Sequence, residues 1–341
     1  MAVMPSVVWR AIQLTAAAGL LALAAPASAA DYKLTILHVN DLQSRLEPVN
    51  ESGAACTPAD VQAHHCAGGM ARLAARINAE RASAHNVLVV DAGNSLTGSP
   101  IYDMHKHRAI SETMNLIGFD AMTVGDREFV DGTQMLSQFQ QSVRFPLLGA
   151  NVDVQSDPYM KDRIYPILVT ERGGDRVGLV GYSNEHLIER AKPTGVVYVQ
   201  RIEAALDRWV KQIQMMGVNK IIAVSHAGYE RDRQVAASIP GIDVIVGDAE
   251  GAPANLAKGG NPTVLKGHGG QSVLLVHAAE FGRSLGRLDV TFDAKGVPKH
   301  WQAANIELTD DGPEDQRLKD LVASLAATAA SRGPIAPTSM R

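Results

Sequence analysis

The chain has 341 residues, 46% hydrophobic and 20% charged, with a formal net charge of −4. Such a composition belongs to a globular protein with length for one large domain or two small ones, and excludes a disordered or fibrous chain. With no basic block and no positive excess, nucleic acid is not an expected partner.

The first thirty residues read as a secretory signal peptide. Arg10 is their only charge, Ala11 to Ala25 is an apolar core, and Ala27-Ser28-Ala29-Ala30 offers small residues for cleavage. That core is short for a bilayer span. The expected product is exported, periplasmic or extracellular, without a membrane span after cleavage. Its net charge is −5, since only Arg10 is lost. Two cysteines follow, Cys56 and Cys66. Export favours a disulfide between them; the alternative is a metal cluster of Cys56, His64, His65 and Cys66.

Leu34 to Asn40 alternates as a strand and leads into Asp41. A Pro- and Gly-containing loop fills Glu47 to Gly69. Met70 to Ala84 has helical spacing, with Met70, Leu73, Ala74 and Ile77 on one face. Val87 to Val90 is a short buried strand opening into Asp91-Ala-Gly-Asn94. A helix over His107 to Phe119 precedes a strand at Ala121 to Val124, which opens into Gly125-Asp126-Arg127-Glu128-Phe129. A helix from Gly132 to Val143 and a strand from Phe145 to Asn151 follow. Arg163 to Thr170 and Arg176 to Tyr182 suggest a hairpin turning at Gly173-Gly174. Ile202 to Met216 is an amphipathic helix, and Lys220 to Ser225 a strand ending at His226. A short helix closes at Val235 to Ile239. Ile242 to Val246 is a strand ending at Gly247-Asp248. Strands at Ser272 to His277, Ser284 to Phe292 and Trp301 to Glu307 make the last third β-rich. A final helix spans about Pro313 to Ala330, and residues 331–341 read as a disordered tail. The alternation argues for α/β architecture with mixed sheets.

Five apolar strands thus end in polar or small residues, and functional groups collect at such carboxyl ends. If those strands share a sheet, the five ends converge on one edge. The ordered run of LTILHVND, GGMARLA, VDAG, VG-x-x-EF, LGANV, IIAVSHAG and DVIVG resembles the exported 5′-nucleotidases within the calcineurin-like metallophosphoesterases. The resemblance extends from Leu34 to about Asp311. It implies a metallophosphoesterase-like sandwich of two mixed β-sheets flanked by helices, as one domain over residues 31–330. It also implies that the family's C-terminal nucleotide-specificity domain is absent from this chain.

The family holds two divalent metals at these strand ends, and the ligand positions here are altered. An Asp-x-His motif falls on Asp41 and Gln43, and the bridging Asp falls on Asn94. In Gly-Asn-His-Glu-Phe-Asp, the ligand Asn, catalytic His and orienting Asp fall on Asp126, Arg127 and Val130. A ligand His is kept as His226, and two last ligand positions fall on Ala249 and Gly251. Paired metals need a charged bridge, and an amide has no charge. Arg127 stays protonated and cannot serve as a general acid. The resemblance therefore implies a non-catalytic or impaired relative with no cofactor. It would bind a small phosphorylated ligand or a protein partner, with Arg127 paired to Asp41 or Asp126 in place of metal charge. The alternative is a phosphoesterase with one weakly bound metal (manganese, zinc or cobalt) on Asp41, Asn94, Asp126 and His226. Gly267-His268-Gly269-Gly270 follows no strand-to-helix pattern and is not expected to cradle phosphate.

Overall fold

The structure is a computed structural model that describes residues 31–253 and 262–332. The expected signal peptide, and the expected tail from residue 333 onward, lie outside the described residues.

In chain order the strands are β1 (Tyr32–Val39), β2 (Val87–Asp91), β3 (Ala121–Thr123), β4 (Leu147–Leu148), β5 (Val152–Asp153), β6 (Ile164–Tyr165), β7 (Ile167–Arg172), β8 (Asp175–Ser183), β9 (Tyr198–Val199), β10 (Ile221–His226), β11 (Val244–Val246), β12 (Thr263–Lys266), β13 (Ser272–Val276), β14 (Ser284–Phe292) and β15 (Pro298–Glu307). The helices are α1 (Pro58–Gln62), α2 (Met70–Ser83), α3 (Pro100–His105), α4 (His107–Ile117), α5 (Gly132–Ser142), α6 (Leu187–Ala191), α7 (Ile202–Met215), α8 (Tyr229–Ser238) and α9 (Gln316–Arg332). One sheet runs β15-β14-β1-β2-β3-β4-β6, and a second runs β12-β13-β11-β10-β8-β7. Both are mixed: β1 to β4 and β8-β10-β11-β13 are parallel, while β14, β15, β7 and β12 pair antiparallel.

The two sheets face each other across a dry layer built from Leu34, Ile36, Leu88, Val90, Leu179, Ile222, Val224 and Val244. Outward residues of the first sheet, such as Leu37, Val39 and Val89, pack against α2, α4, α5 and α9. The outer face of the second sheet packs against α7 and α8 through Ile202, Leu206, Ile213 and Val235. Strands covered on both faces read as continuous apolar runs, hence LVV in β2 and IIAV in β10. Near the end where β3 and β10 finish, two hydroxyls cross between the sheets. Thr123 Oγ1 donates to the Val224 carbonyl at 2.9 Å, and Ser183 Oγ donates to the Val124 carbonyl. Gly181 permits this approach, since a Cβ there would lie 2.4 Å from Leu148 Cβ.

The structure differs from expectation in several elements. The strand expected over Arg163 to Thr170 is divided. β6 belongs to the first sheet and β7 to the second, with Pro166 at the crossing where the chain cannot donate to a ladder. The hairpin at Gly173-Gly174 is present between β7 and β8. Phe145 to Asn151 forms only the two-residue β4. The last helix runs on through Arg332, past the expected start of the tail. Residues 267–270 are the turn of the β12–β13 hairpin.

Cys56 and Cys66 form a disulfide, as the export reading expects. Among the described residues no group of three His, Cys, Asp or Glu side chains is placed to hold a metal, so the Cys56/His64/His65/Cys66 cluster is not formed. His64 instead meets Asp310 at 2.8 Å. The loop is also held by bridges from Val49 to Ala55 and Ala67, and from Ala67 to Thr309. Closing so short a loop should contribute about 2–3 kcal/mol. Urea denaturation of Cys56→Ser is expected to show that loss. An unchanged midpoint would mean that the bridges alone hold the loop.

Candidate functional site

The five polar strand ends do not share one sheet. Those of β1, β2 and β3 come from the first and those of β10 and β11 from the second, yet all five meet at one end of the sandwich. The reason is that the parallel strands of both sheets point the same way and the crossing hydroxyls hold their ends together.

The β1 and β2 loops run side by side: Asp41, Gln43 and Ser44 donate backbone N–H groups to the carbonyls of Gly93, Asn94 and Ser95. This ladder forces Asp41, Gln43 and Asn94 into left-handed backbone, at φ 51°, 46° and 59°. Asp41 is buried, and both of its carboxylate oxygens are engaged. Asn94 Nδ2 donates to one at 3.2 Å, and Asn40 Nδ2 to the other at 3.1 Å. Asn94 Oδ1 in turn accepts the Arg127 backbone N–H at 2.8 Å. The amide is thus spent on protein partners at both ends.

Glu128, which sequence reasoning assigned no role, ties the loops together. It is 2% exposed and accepts four backbone N–H groups, from Asn94 (2.9 Å), Ser95 (2.8 Å), Leu96 (3.1 Å) and Gly125 (2.6 Å). Burial pushes its pKa up despite those donors. Gly125 lies where these loops meet His226. A Cβ there would fall 2.5 Å from Asn94 Oδ1 and 2.6 Å from the His226 ring.

His226 ends β10 and is 3% exposed. Its Nδ1 donates to the Ala92 carbonyl at 2.9 Å and lies 3.5 Å from Asp248 Oδ2. Burial alone would lower its pKa, but the carboxylates of Asp248, Asp41, Glu128 and Asp126 outweigh it and raise the value to about 9. Asp248 follows β11 and was likewise given no role from sequence; burial raises its pKa to about 6. Behind it, buried Asp232 accepts from Tyr182 and Ser225 hydroxyls, and burial raises its pKa to about 8.

The guanidinium expected on Asp126 comes from elsewhere. Arg190, from α6, reaches Asp126 Oδ2 at 3.4 Å and Glu250 at 2.7 Å. Arg127 ion-pairs with neither Asp41 nor Asp126: its Nη1 turns toward Thr97 Oγ1, 3.4 Å away. A short helix such as α6 has no periodic signal that would have pointed to Arg190. Val130 is 48% exposed. Gln43 is half-buried, and Ala249 and Gly251 bring no side-chain donor.

These donors do not fit a pair of divalent metals. Asn94 offers no charge to bridge them, its Oδ1 is taken by Arg127, and both Asp41 oxygens are taken by amides.

No family model matches the chain. The bovine (Bos taurus) 5′-nucleotidase is 35% identical over 304 residues, which span 86% of this chain and 52% of that protein. The crystal structure of a 5′-nucleotidase precursor from Thermus thermophilus superimposes with a TM-score of 0.79 at 31% identity, covering 88% of this chain and 59% of that one. The 5′-nucleotidases are homologues of this chain. A calcineurin-like phosphoesterase from Bacillus subtilis shares the fold, with a TM-score of 0.68 at 21% identity over 89% of this chain and 99% of that one. The fold of this 5′-nucleotidase relative is that of the calcineurin-like metallophosphoesterases. It spans about half the length of the curated 5′-nucleotidases it matches.

Proposed function

We propose that this chain is a non-catalytic, or strongly impaired, member of the 5′-nucleotidase family that binds a small phosphorylated ligand in the altered cleft. The carrying observation is Asn94. It stands where the resemblance implies a bridging carboxylate, and its amide is locked between Asp41 and the Arg127 backbone. Arg127 supports the same reading, since a guanidinium cannot hand a proton to a leaving oxygen near neutral pH. The leader-like first thirty residues support export to the periplasm or cell exterior. No helix among the described residues is long and apolar enough to cross a membrane.

One observation favours a second reading, an active phosphoesterase with one metal. Asp126 Oδ1 and Asp248 Oδ2 are buried without hydrogen-bond partners, as open ligand positions would be. Manganese, zinc or cobalt would then sit on Asp126 and His226, with Asn94 and Asp41, after these side chains rearrange, since as they stand no three of them are placed to hold an ion. Elemental analysis of the purified chain, with turnover of a chromogenic phosphomonoester and of nucleotides in each added metal, separates the two. The expected result is no stoichiometric metal and no turnover. Stoichiometric metal together with turnover abolished by His226→Ala would overturn the first reading.

A further inference from the structure

We propose that Arg45 and Arg127 form an anion site for a phosphate group that works without a metal ion. This deepens the non-catalytic reading by giving its ligand a place and a chemistry.

The two side chains come from different loops and converge on Gly98. A Cβ on Gly98 would lie 3.4 Å from Arg127 Nη1 and 3.6 Å from Arg45 Nη1. Gly98 is exposed and both arginines are half-buried, so the space between them is reachable from solvent. Like charges brought this close repel unless something compensates them. Among the described residues neither guanidinium makes an ion pair with a carboxylate, so the compensation is incomplete. Arg45 spends Nε on the Gly53 carbonyl at 2.8 Å and Nη1 on the Gln43 carbonyl at 3.4 Å. Arg127 spends only Nη1, on Thr97 Oγ1. The Nη2 of each makes no hydrogen bond to a described protein acceptor. Glu280 lies near enough for the Arg127 charge to be felt but makes no ion pair with it.

The arrangement is also built. Phe281 holds a left-handed φ of 61°, fixed by its N–H on the Asp41 carbonyl at 2.8 Å, and its ring lies 5.6 Å from the Arg45 guanidinium carbon. A stacked guanidinium keeps its edge free for an oxyanion. Arg45 Nη2 and Arg127 Nη2, the donors left without a described protein acceptor, are suited to the oxygens of a phosphate, the partner that arginine's planar donor geometry favours. Burial and the Arg127 charge both push the Arg45 pKa down, a conflict that a bound anion would relieve.

The test is calorimetric titration of the chain lacking its leader, in EDTA, with inorganic phosphate and separately with a nucleoside monophosphate. At least one probe is expected to bind, more weakly as sodium chloride rises. Arg45→Gln and Arg127→Gln should each weaken binding at least about tenfold, with circular dichroism confirming that both variants are folded. Arg127→Lys, which keeps charge but loses the planar donors, should retain part of the affinity. Tighter binding of the monophosphate would assign the site to a phosphomonoester, and equal binding would assign it to free phosphate; both sustain the site. Binding of neither probe, or binding unchanged in both glutamine variants, would overturn it. Turnover with added metal would refute the non-catalytic reading and leave this site standing, because the titration excludes metal.

Discussion

Replacing Glu128 by alanine is expected to cost about 3–5 kcal/mol of folding stability, among the largest effects of any single substitution near the cleft. Glu128 accepts four backbone N–H groups from two loops in a site almost closed to water. Truncation leaves all four donors buried and unpaired, with a cavity where the side chain was. Urea unfolding at fixed pH measures the loss. Glu128→Gln is the informative companion: it keeps the volume and one acceptor oxygen but turns an NH2 group against backbone N–H donors, so it should also destabilise. A loss below about 1 kcal/mol in the alanine variant would show that water or a loop shift replaces the carboxylate.

The second large effect is a pH dependence centred on His226. Its pKa rises from 6.5 to about 9 on folding, so the folded state binds this proton more tightly than the unfolded chain does. The resulting stability is fully present below pH 6.5 and is lost as pH rises through about 9. A shift of that size corresponds to about 3 kcal/mol. Asp91 and Asp232, whose pKa values burial raises to about 8, add a decline of the same sign between about pH 4 and 8. The comparison that isolates His226 is therefore the difference between wild type and His226→Gln, by urea denaturation at pH 6 and pH 9.5. That difference should shrink by about 3 kcal/mol toward alkaline pH. A constant difference would mean that folding does not shift the pKa of the imidazole. At the acid end the sign reverses for His38. Burial, helped by His277, lowers its pKa to about 3, so stability is lost as pH falls from 6.5 toward that value.

Much of the fold is legible in the sequence because its strands are covered on both faces. Continuous apolar runs such as LVV at Leu88 and IIAV at Ile221 have few other uses, and each stops where the chain turns polar. The positions of Asp41, Asn94, Asp126 and His226 at one end of the sandwich follow from that pattern and from the ordered motifs. What could not be read is long-range. Glu128 looks like an ordinary acidic residue until the N–H groups of residues 94–96 are seen to face it. The expected pairing of Arg127 with Asp41 or Asp126 fails because Asn94 captures the Arg127 backbone while the side chain leaves toward Gly98. Arg190 takes its place from a five-residue helix that carries no period. The division of residues 163–170 between two sheets turns on Pro166, whose missing donor marks a break but not which ladder each side joins.

The two hydroxyls that cross between the sheets, from Thr123 to Val224 and from Ser183 to Val124, act as dowels at the mouth of the cleft. Slippage by one residue along a strand, about 3.3 Å, would shear both and leave two buried hydroxyls without their acceptors. Each orphaned hydroxyl would cost about 1–3 kcal/mol. The strand ends bearing Asp41, Asn94 and His226 are therefore pinned in register with one another, and a ligand bound there would meet a fixed spacing rather than one that adjusts by sliding of the sheets.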